Sequence, residues 1–286
     1  MMEKKTKVGR MMQTFVSPQW LHDHLDDEHI IIVDCRFVLT DAEAGETAYQ
    51  EDHIPGALYF HLSRDLSGEK KEHGGRHPLP EIDDLVSLFS QAGIDQSKTV
   101  IAYDDQDMAY AGRLWWLLRY LGHDNTAVLE GGYSAWKKAG FAVTAELPSP
   151  VPSAFVPAVR PEMLVDVQGV RERSPQTVLL DSRAGERYRG EVEPLDPKAG
   201  HIPGALNFFY KDNLTSEQTL LAKEKLDERI APFADKEIIV YCGSGVTACS
   251  NLLALHAAGR PDAKLYAGSW SDWVSYPENP VATGDE

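Results

Sequence analysis

Short apolar runs alternate along most of the chain with stretches of helical periodicity. Residues 30–35, 99–103 and 238–241 are runs dominated by apolar side chains, whereas residues 81–91 space their apolar positions as a helix does, before Gly93. Strands buried on both faces of a parallel sheet have such continuous apolar runs, and the crossovers between them usually contain helices. The pattern therefore predicts an α/β fold, in which mostly parallel sheets carry helices on both faces.

An internal repeat organises this alternation. Four segments of the first half recur in the same order in the second half. They are IIVDCR and VLLDSR at 31–36 and 178–183, HIPGAL at 53–58 and 201–206, VIAYD and IIVYC at 100–104 and 238–242, and GGYSAW and GSWSDW at 131–136 and 268–273. Four matches in one order predict two copies of one domain.

The repeat sets the expected domain boundaries. We expect an amino-terminal domain at residues 14–146 and a carboxy-terminal domain at residues 158–286. The segment between them, residues 147–157, contains four prolines. Such a composition predicts a semi-rigid interdomain linker.

The stretch with the clearest chemistry follows the apolar run at 238–241. Cys242 comes at the predicted carboxyl end of that strand, where α/β sheets place their ligand sites, and a helix is predicted to follow. Glycines at 243 and 245 allow the backbone to curl round the sulfur. The amides of Gly243, Gly245, Val246 and Thr247, with the dipole of the helix, are then expected to bind the sulfur and its donor. A thiolate is favoured in such a loop, so a lowered pKa and a nucleophilic Cys242 are predicted. The alternative is a buried cysteine that acts only as a small apolar side chain.

The first copy differs at this position. Asp104 occupies the place of Cys242, and the residues after it lack the two glycines. An aspartate cannot act as a thiol nucleophile. The first domain is therefore expected to have lost the loop that surrounds the sulfur and to form one wall of the cleft.

Composition narrows the possible partners and location. The formal net charge is −16, which argues against nucleic acid and anionic membranes as partners. Three cysteines, without metal-ligand spacing, predict a reducing, cytoplasmic setting and no metal or organic cofactor. Residues 1–13 lack the apolar region of a secretory signal, and a start at Met11 or Met12 is an alternative to Met1.

The repeated HIPGA turn, Asp104 in place of cysteine, and CGSGVT from Cys242 together resemble the tandem-domain rhodanese family. The resemblance implies two rhodanese-like domains and a sulfurtransferase that works through a persulfide on Cys242. A small anionic donor would supply the sulfur, and cyanide or a thiol, including a thioredoxin-like protein, would accept it. The Gly-Ser-Gly loop is most similar to the mercaptopyruvate branch, so 3-mercaptopyruvate is the favoured donor.

The resemblance also implies a proton relay. Cleavage of the carbon–sulfur bond of mercaptopyruvate leaves an enolate, which a hydroxyl coupled to an imidazole can protonate. Ser244 is the candidate hydroxyl and His53, in the first HIPGA turn, the candidate imidazole, with Asp41 or Glu43 as its acid. His201 occupies the same turn of the second copy, so a structural role for His53 is the alternative, and Ser244 could simply bond its own loop.

Donor binding is assigned to an arginine by the same resemblance. Arg187 corresponds to an arginine that binds the substrate carboxylate, a role suited to the two-pronged guanidinium. The mercaptopyruvate branch usually has a second arginine nearby, but this chain has Leu195 or Asp196 there, with Lys198 as a possible substitute. His73, Arg76 and His77 form a polar cluster within residues 67–80, interpreted as a solvated loop or the cleft mouth.

Other activities remain as alternatives. A thiosulfate sulfurtransferase is one, and a non-catalytic sulfur carrier or interaction protein is another. A cysteine phosphatase is disfavoured, because its loop requires an arginine where this chain has Ala248. The physiological acceptor and the oligomeric state are not determined by the sequence.

Overall fold

A computed structural model describes residues 14–285, which contain two five-stranded sheets. Every pairing in both sheets is parallel. The strands of the first sheet are β1 (Phe15–Val16), β2 (Ile30–Asp34), β3 (Leu58–Tyr59), β4 (Thr99–Tyr103) and β5 (Thr126–Leu129). Those of the second are β6 (Leu164–Val165), β7 (Val178–Asp181), β8 (Ala205–Asn207), β9 (Ile238–Tyr241) and β10 (Lys264–Tyr266).

The two sheets have the same topology. Their orders are β1-β5-β4-β2-β3 and β6-β10-β9-β7-β8, so each strand of one sheet has a counterpart at the same place in the other. The predicted repeat and the α/β class with parallel sheets are confirmed. The start-site alternatives Met11 and Met12 lie outside the described residues.

Helices connect the strands in both halves. In the first half they are α1 (Pro18–Asp23), α2 (Ala44–Glu51), α3 (Ile82–Gln91), α4 (Ala109–Tyr120) and α5 (Gly132–Lys138). In the second half they are α6 (Val167–Arg171), α7 (Gly185–Tyr188), α8 (Lys223–Ile230), α9 (Thr247–Ala257) and α10 (Ser269–Trp273). Within residues 14–285, no helix is long and apolar enough to cross a membrane.

Sequence patterns located the buried helices and missed the polar ones. The predicted helix at residues 81–91 corresponds to α3, and Gly93 after it has a φ of +76°. Helix α2 was not predicted, because Tyr49 is its only large apolar side chain. Helix α8 has only two, Leu226 and Ile230, so its apolar periodicity is also weak.

The two halves pack closely through α4 and α9. A Cβ atom added to Gly112 would lie 3.0 Å from Leu253 Cδ1 and 3.3 Å from the carbonyl carbon of Cys249. The absence of a side chain at Gly112 thus allows the two helices to approach. One apolar core cluster includes residues of both halves, so the interface is an extension of the two domain cores.

The proline-rich segment follows the surface of the first half. Residues 147–157 contain no helix or strand. Ser153 donates its backbone N–H to the carbonyl of Ser90 at 2.9 Å, and the Phe155 side chain is buried. The segment is therefore held by backbone and apolar contacts as well as by its prolines.

Candidate active site

Cys242 immediately follows β9 and is 2 % exposed. The backbone N–H of Gly245 donates to its sulfur at 3.1 Å. Gly245 has a φ of +77°, and a Cβ atom there would lie 2.2 Å from the carbonyl oxygen of Ala267. Conformation and space both require glycine, so the predicted curl of the backbone round the sulfur is present.

A second segment supports this loop. Ser269 accepts a hydrogen bond from the Cys242 N–H through its hydroxyl oxygen at 3.1 Å. The N–H groups of Trp270 and Ser271 donate to the carbonyls of Cys242 and Gly243 at 3.0 and 2.9 Å. The conformation around the sulfur thus depends on the start of α10 as well as on its own glycines.

The corresponding loop of the first half also directs its backbone N–H groups inward, but they bind a side-chain carboxylate and not a sulfur. The carboxylate of Asp104 accepts hydrogen bonds from four backbone N–H groups, at 2.8 to 3.1 Å, those of Gln106, Met108, Tyr110 and Ala111. Burial raises the pKa of Asp104 to about 6, although these hydrogen bonds oppose the shift. This corrects the expectation that the first domain had lost its amide loop: the loop remains, and the side chain of Asp104 occupies it.

Ser244 is paired with a histidine of the first half, but not with the expected one. Its hydroxyl oxygen lies 2.8 Å from Nδ1 of His77, and both side chains are buried. His77 belongs to the polar segment at residues 67–80, which was interpreted as a solvated loop or the cleft mouth. The structure thus supplies a hydroxyl–imidazole pair two residues from Cys242.

His53 has a structural position instead. Its Nδ1 lies 2.7 Å from the carbonyl oxygen of Tyr49, and its Nε2 lies 3.1 Å from that of Glu146. The ring also stacks on Tyr49, and His201 makes the equivalent contacts with Tyr188. This corrects the predicted pairing with Ser244, because both ring nitrogens of His53 already contact backbone carbonyls.

The electrostatic environment keeps His77 neutral. Burial, followed by the charges of Arg113, Arg76 and Lys70, lowers its pKa to about 4. A neutral imidazole can both donate and accept a proton, so the pair with Ser244 suits proton transfer near neutral pH.

Arg187, for which donor binding is predicted, lies beside the cysteine loop. A Cβ atom added to Gly243 would lie 3.5 and 3.6 Å from its two terminal nitrogens. The guanidinium also binds Glu193, with Nη2 to Oε1 at 2.7 Å and Nε to Oε2 at 3.2 Å. Arg187 is therefore held beside Gly243 by a buried carboxylate.

The remaining predicted loop residues support the helix that follows. Val246 is buried in the core cluster that includes both halves, and Thr247 is the first residue of α9. Cys249, one turn into α9, points its sulfur at the carbonyl oxygen of Gly245, 3.4 Å away. Burial raises the pKa of Cys249 to about 12, so its thiol stays protonated.

Arg113 joins the two halves beneath the site. Its side chain is fully buried and donates to four backbone carbonyls. The acceptors are Leu66 at 3.2 Å, His77 at 3.1 Å, Pro78 at 3.3 Å and Gly245 at 3.1 Å. One cation thus connects the loop that carries His77 to the loop that carries Cys242.

Sequence reasoning missed the roles of Arg76, His77 and Arg113. The sequence does mark Arg113 as unusual, because it lies in an otherwise apolar helical stretch, GRLWWLL, where a solvated charge is unexpected. The other two lie in a polar segment, and no local pattern marks them, because their partners Asp196 and Ser244 are far away along the chain. Among residues 14–285, no group of three or more His, Cys, Asp or Glu side chains is arranged to hold a metal ion.

A family model, the rhodanese-like domain, matches residues 17–139 and 167–276, once in each half. The chain belongs to the rhodanese family. The "Probable 3-mercaptopyruvate sulfurtransferase" of Pseudomonas aeruginosa is 45 % identical over 278 residues, covering 94 % of this chain and 98 % of that protein. The thiosulfate sulfurtransferase of Mus musculus is 32 % identical over 295 residues, covering 96 % of this chain and 97 % of that protein. This member of the rhodanese family therefore has relatives named for both donors.

The same likeness extends to three dimensions. The crystal structure of SseA from Escherichia coli, described as a 3-mercaptopyruvate sulfotransferase with the "Rhodanese" fold, aligns with a TM-score of 0.80. The sequences are 33 % identical, and the alignment covers 91 % of this chain and 100 % of SseA. The tandem rhodanese fold expected from the sequence is thereby confirmed.

Replacement of Arg113 by methionine tests its place in the interface. Arg113→Met leaves several buried carbonyls without donors, so we expect the free energy of unfolding in urea to fall by about 3 kcal/mol. Arg64→Met is the control, because Arg64 is half exposed and forms a surface ion pair with Glu46. That change should cost less than about 1 kcal/mol. Equal losses in the two variants would contradict the role given to Arg113.

The pH dependence of stability tests the environment of His77. Its pKa is about 4 in the folded chain and 6.5 ordinarily, so between these values only the unfolded chain binds the proton. The free energy of unfolding should therefore fall as the pH is lowered from 6.5 towards 4, by about 2 kcal/mol at pH 5. His77→Asn should lack this component, whereas His73→Asn, on the same loop, should keep it. Identical urea-unfolding profiles for wild type and His77→Asn would contradict the prediction.

Proposed function

We propose that this protein is a sulfurtransferase that moves a sulfane sulfur from a small anionic donor to cyanide or a thiol through a persulfide on Cys242. Donors for which the leaving group needs a proton are favoured, and 3-mercaptopyruvate is such a donor. The arrangement around Cys242 carries the proposal. The Gly245 N–H donates to the Cys242 sulfur, and Ser244, two residues after Cys242, is paired with His77.

The reaction divides into two transfers. The Cys242 thiolate attacks the sulfur of mercaptopyruvate, and a sulfur–sulfur bond forms as the carbon–sulfur bond breaks. The electron pair of the broken bond stays on carbon as the enolate of pyruvate, which then takes up a proton. An acceptor next attacks the outer sulfur, and the Cys242 thiolate is released. Such a covalent sequence predicts ping-pong kinetics.

The Ser244–His77 pair is assigned the proton transfer. Its 2.8 Å contact and the low pKa of His77 support a neutral relay. The serine hydroxyl protonates the enolate carbon, the imidazole returns a proton to the serine, and the imidazole takes up a proton from solvent at its other nitrogen as it does so. Thiosulfate releases sulfite, which needs no such proton. The pair therefore favours mercaptopyruvate over thiosulfate.

Burial of the cysteine bears on the acceptor. Because Cys242 is 2 % exposed, cyanide or a small thiol reaches the persulfide more easily than a folded protein does. A thioredoxin-like acceptor would have to insert a reactive thiol into the cleft. We retain a cytoplasmic location as part of the proposal, supported by the three free cysteines, Cys35, Cys242 and Cys249.

The thiosulfate alternative has a specific observation in its favour. Arginines lie next to Gly243, and cationic groups suffice for a donor whose leaving group is an anion. The deciding measurement is kcat/KM for mercaptopyruvate and for thiosulfate with cyanide as acceptor. A ratio well above one would support the mercaptopyruvate assignment, and a ratio near or below one would favour thiosulfate.

Cys242→Ser is the test of the mechanism as a whole. A serine at this position cannot form a persulfide, so turnover with every donor should be abolished. Retained turnover in this variant would exclude a Cys242 persulfide. A wild-type protein without turnover on small donors would instead favour the sulfur-carrier alternative.

The proton relay makes a donor-specific prediction. Ser244→Ala and His77→Asn should each lower kcat/KM for mercaptopyruvate by about 100-fold, because general acid–base catalysis contributes on that order. Their effect on thiosulfate should be less than about threefold, since no proton is needed there. His29→Asn is the control, because His29 is an exposed histidine of the first half. Equal losses on both donors would rule out the relay.

A further inference from the structure

We infer that Arg76, which the first half contributes across the interface, joins Arg187 in a two-guanidinium site for the donor's carboxylate, and that Asp196 occupies this site when no donor is bound. The inference rests on the proposed function and assigns the donor-binding groups of the same site. Its evidence is independent of the cysteine chemistry.

Both guanidinium groups lie over the residue after Cys242. A Cβ atom added to Gly243 would lie 2.9 Å from Nη2 of Arg76 and 3.5 Å from Nη2 of Arg187. Gly243 is not among the glycines with positive φ, so its backbone conformation does not require glycine. The space that a side chain would fill is instead taken by the two arginines.

The backbone at Arg76 is fixed to the second half. Its N–H donates to the hydroxyl of Ser271 at 3.1 Å, and the N–H of Gly74 donates to Asp272 at 2.7 Å. His73 stacks on Tyr276, with ring centroids 4.0 Å apart. Arg76 therefore extends from a docked loop, and its side chain is only 20 % exposed.

Asp196 bridges the two arginines. Its Oδ1 binds Arg76 Nη1, and its Oδ2 lies 3.5 Å from Arg187 Nη2. The Asp196 side chain is 3 % exposed, yet Oδ2 makes no hydrogen bond in the part of the chain that the structure describes. A buried carboxylate oxygen without a hydrogen bond is poorly stabilised, and burial accordingly raises the pKa of Asp196.

The charges show why one carboxylate fits between these arginines. The connected cluster holds three arginines and three carboxylates. They are Arg76, Arg183, Arg187, Asp181, Glu193 and Asp196. Withdrawal of Asp196 would leave one net positive charge, which a single donor carboxylate would neutralise.

Only the side chain of Asp196 has to rotate to leave the arginines, because its backbone N–H is held by Glu193 Oε1 at 3.2 Å. An open cleft between the halves is lined by Lys70, Lys71, Glu72, Arg76 and Asp196 among others. The Asp196 carboxylate can therefore leave the arginines for this lysine-bordered cleft as the donor enters.

Steady-state kinetics with mercaptopyruvate and cyanide test the site. Arg76→Met should raise the KM for mercaptopyruvate at least tenfold, with kcat changed less than about threefold. Arg76→Lys keeps the charge without the two-pronged geometry, so its KM should be intermediate. Asp196→Asn removes the competing charge and should lower KM at least threefold. Arg64→Met, remote from the cluster, should leave both constants unchanged.

A second assay does not depend on turnover. Pyruvate should slow alkylation of Cys242 by iodoacetamide, and Arg76→Met should weaken that protection at least tenfold while Asp196→Asn strengthens it. An unchanged KM in Arg76→Met, or a KM raised in Asp196→Asn as much as in Arg76→Met, would overturn the inference. Such a result, with turnover that still requires Cys242, would leave the proposed function standing. Pyruvate protection without turnover would support the site and count against the function.

Discussion

The hydrogen bonds of Arg113 are the constraint on which the site depends. This residue is fully buried, and its guanidinium donates to carbonyls of both halves. Because the guanidinium is buried, moving either loop would leave buried polar groups unpaired. One planar guanidinium group thereby binds both the carbonyl of His77 and that of Gly245. Cys242 and His77 are consequently held close to each other although they come from different halves.

The two repeated halves have the same fold but different roles. In each, an aspartate at the end of a central strand binds an arginine two residues on, as Asp34 does Arg36 and Asp181 does Arg183. The loop that follows the neighbouring strand in the sheet, β4 or β9, differs between the halves. In one half its amides surround a carboxylate, that of Asp104, and in the other Gly245 donates to a sulfur. The first half no longer offers a nucleophile, but its 67–80 loop reaches the cysteine of the second.

The acidic character of the chain is compatible with an anionic donor because the arginines near Cys242 are concentrated and held by carboxylates. Glu193 fixes Arg187 in place, while Asp196 contacts both Arg187 and Arg76. Such pairing keeps buried arginines from being uncompensated charges. In the proposed site, a donor would meet prearranged guanidinium groups, so less ordering would be left for the binding step.

The sequence by itself determined what is local. Apolar runs, glycines and the repeat gave the parallel sheets and placed Cys242 at a strand end, since strand burial and loop curvature are encoded by adjacent residues. Arg187, which the family resemblance assigned to donor binding, lies beside the cysteine loop. The partner of Ser244 was decided by tertiary structure alone, because His77 lies 167 residues away along the chain. His53 misled the prediction, because a repeated motif indicates a repeated structural need, here a turn tied to its own backbone. The contact of Arg76 with Asp196 and that of Arg113 with Gly245 likewise exist only once the halves dock, because each joins a side chain of one half to a group of the other.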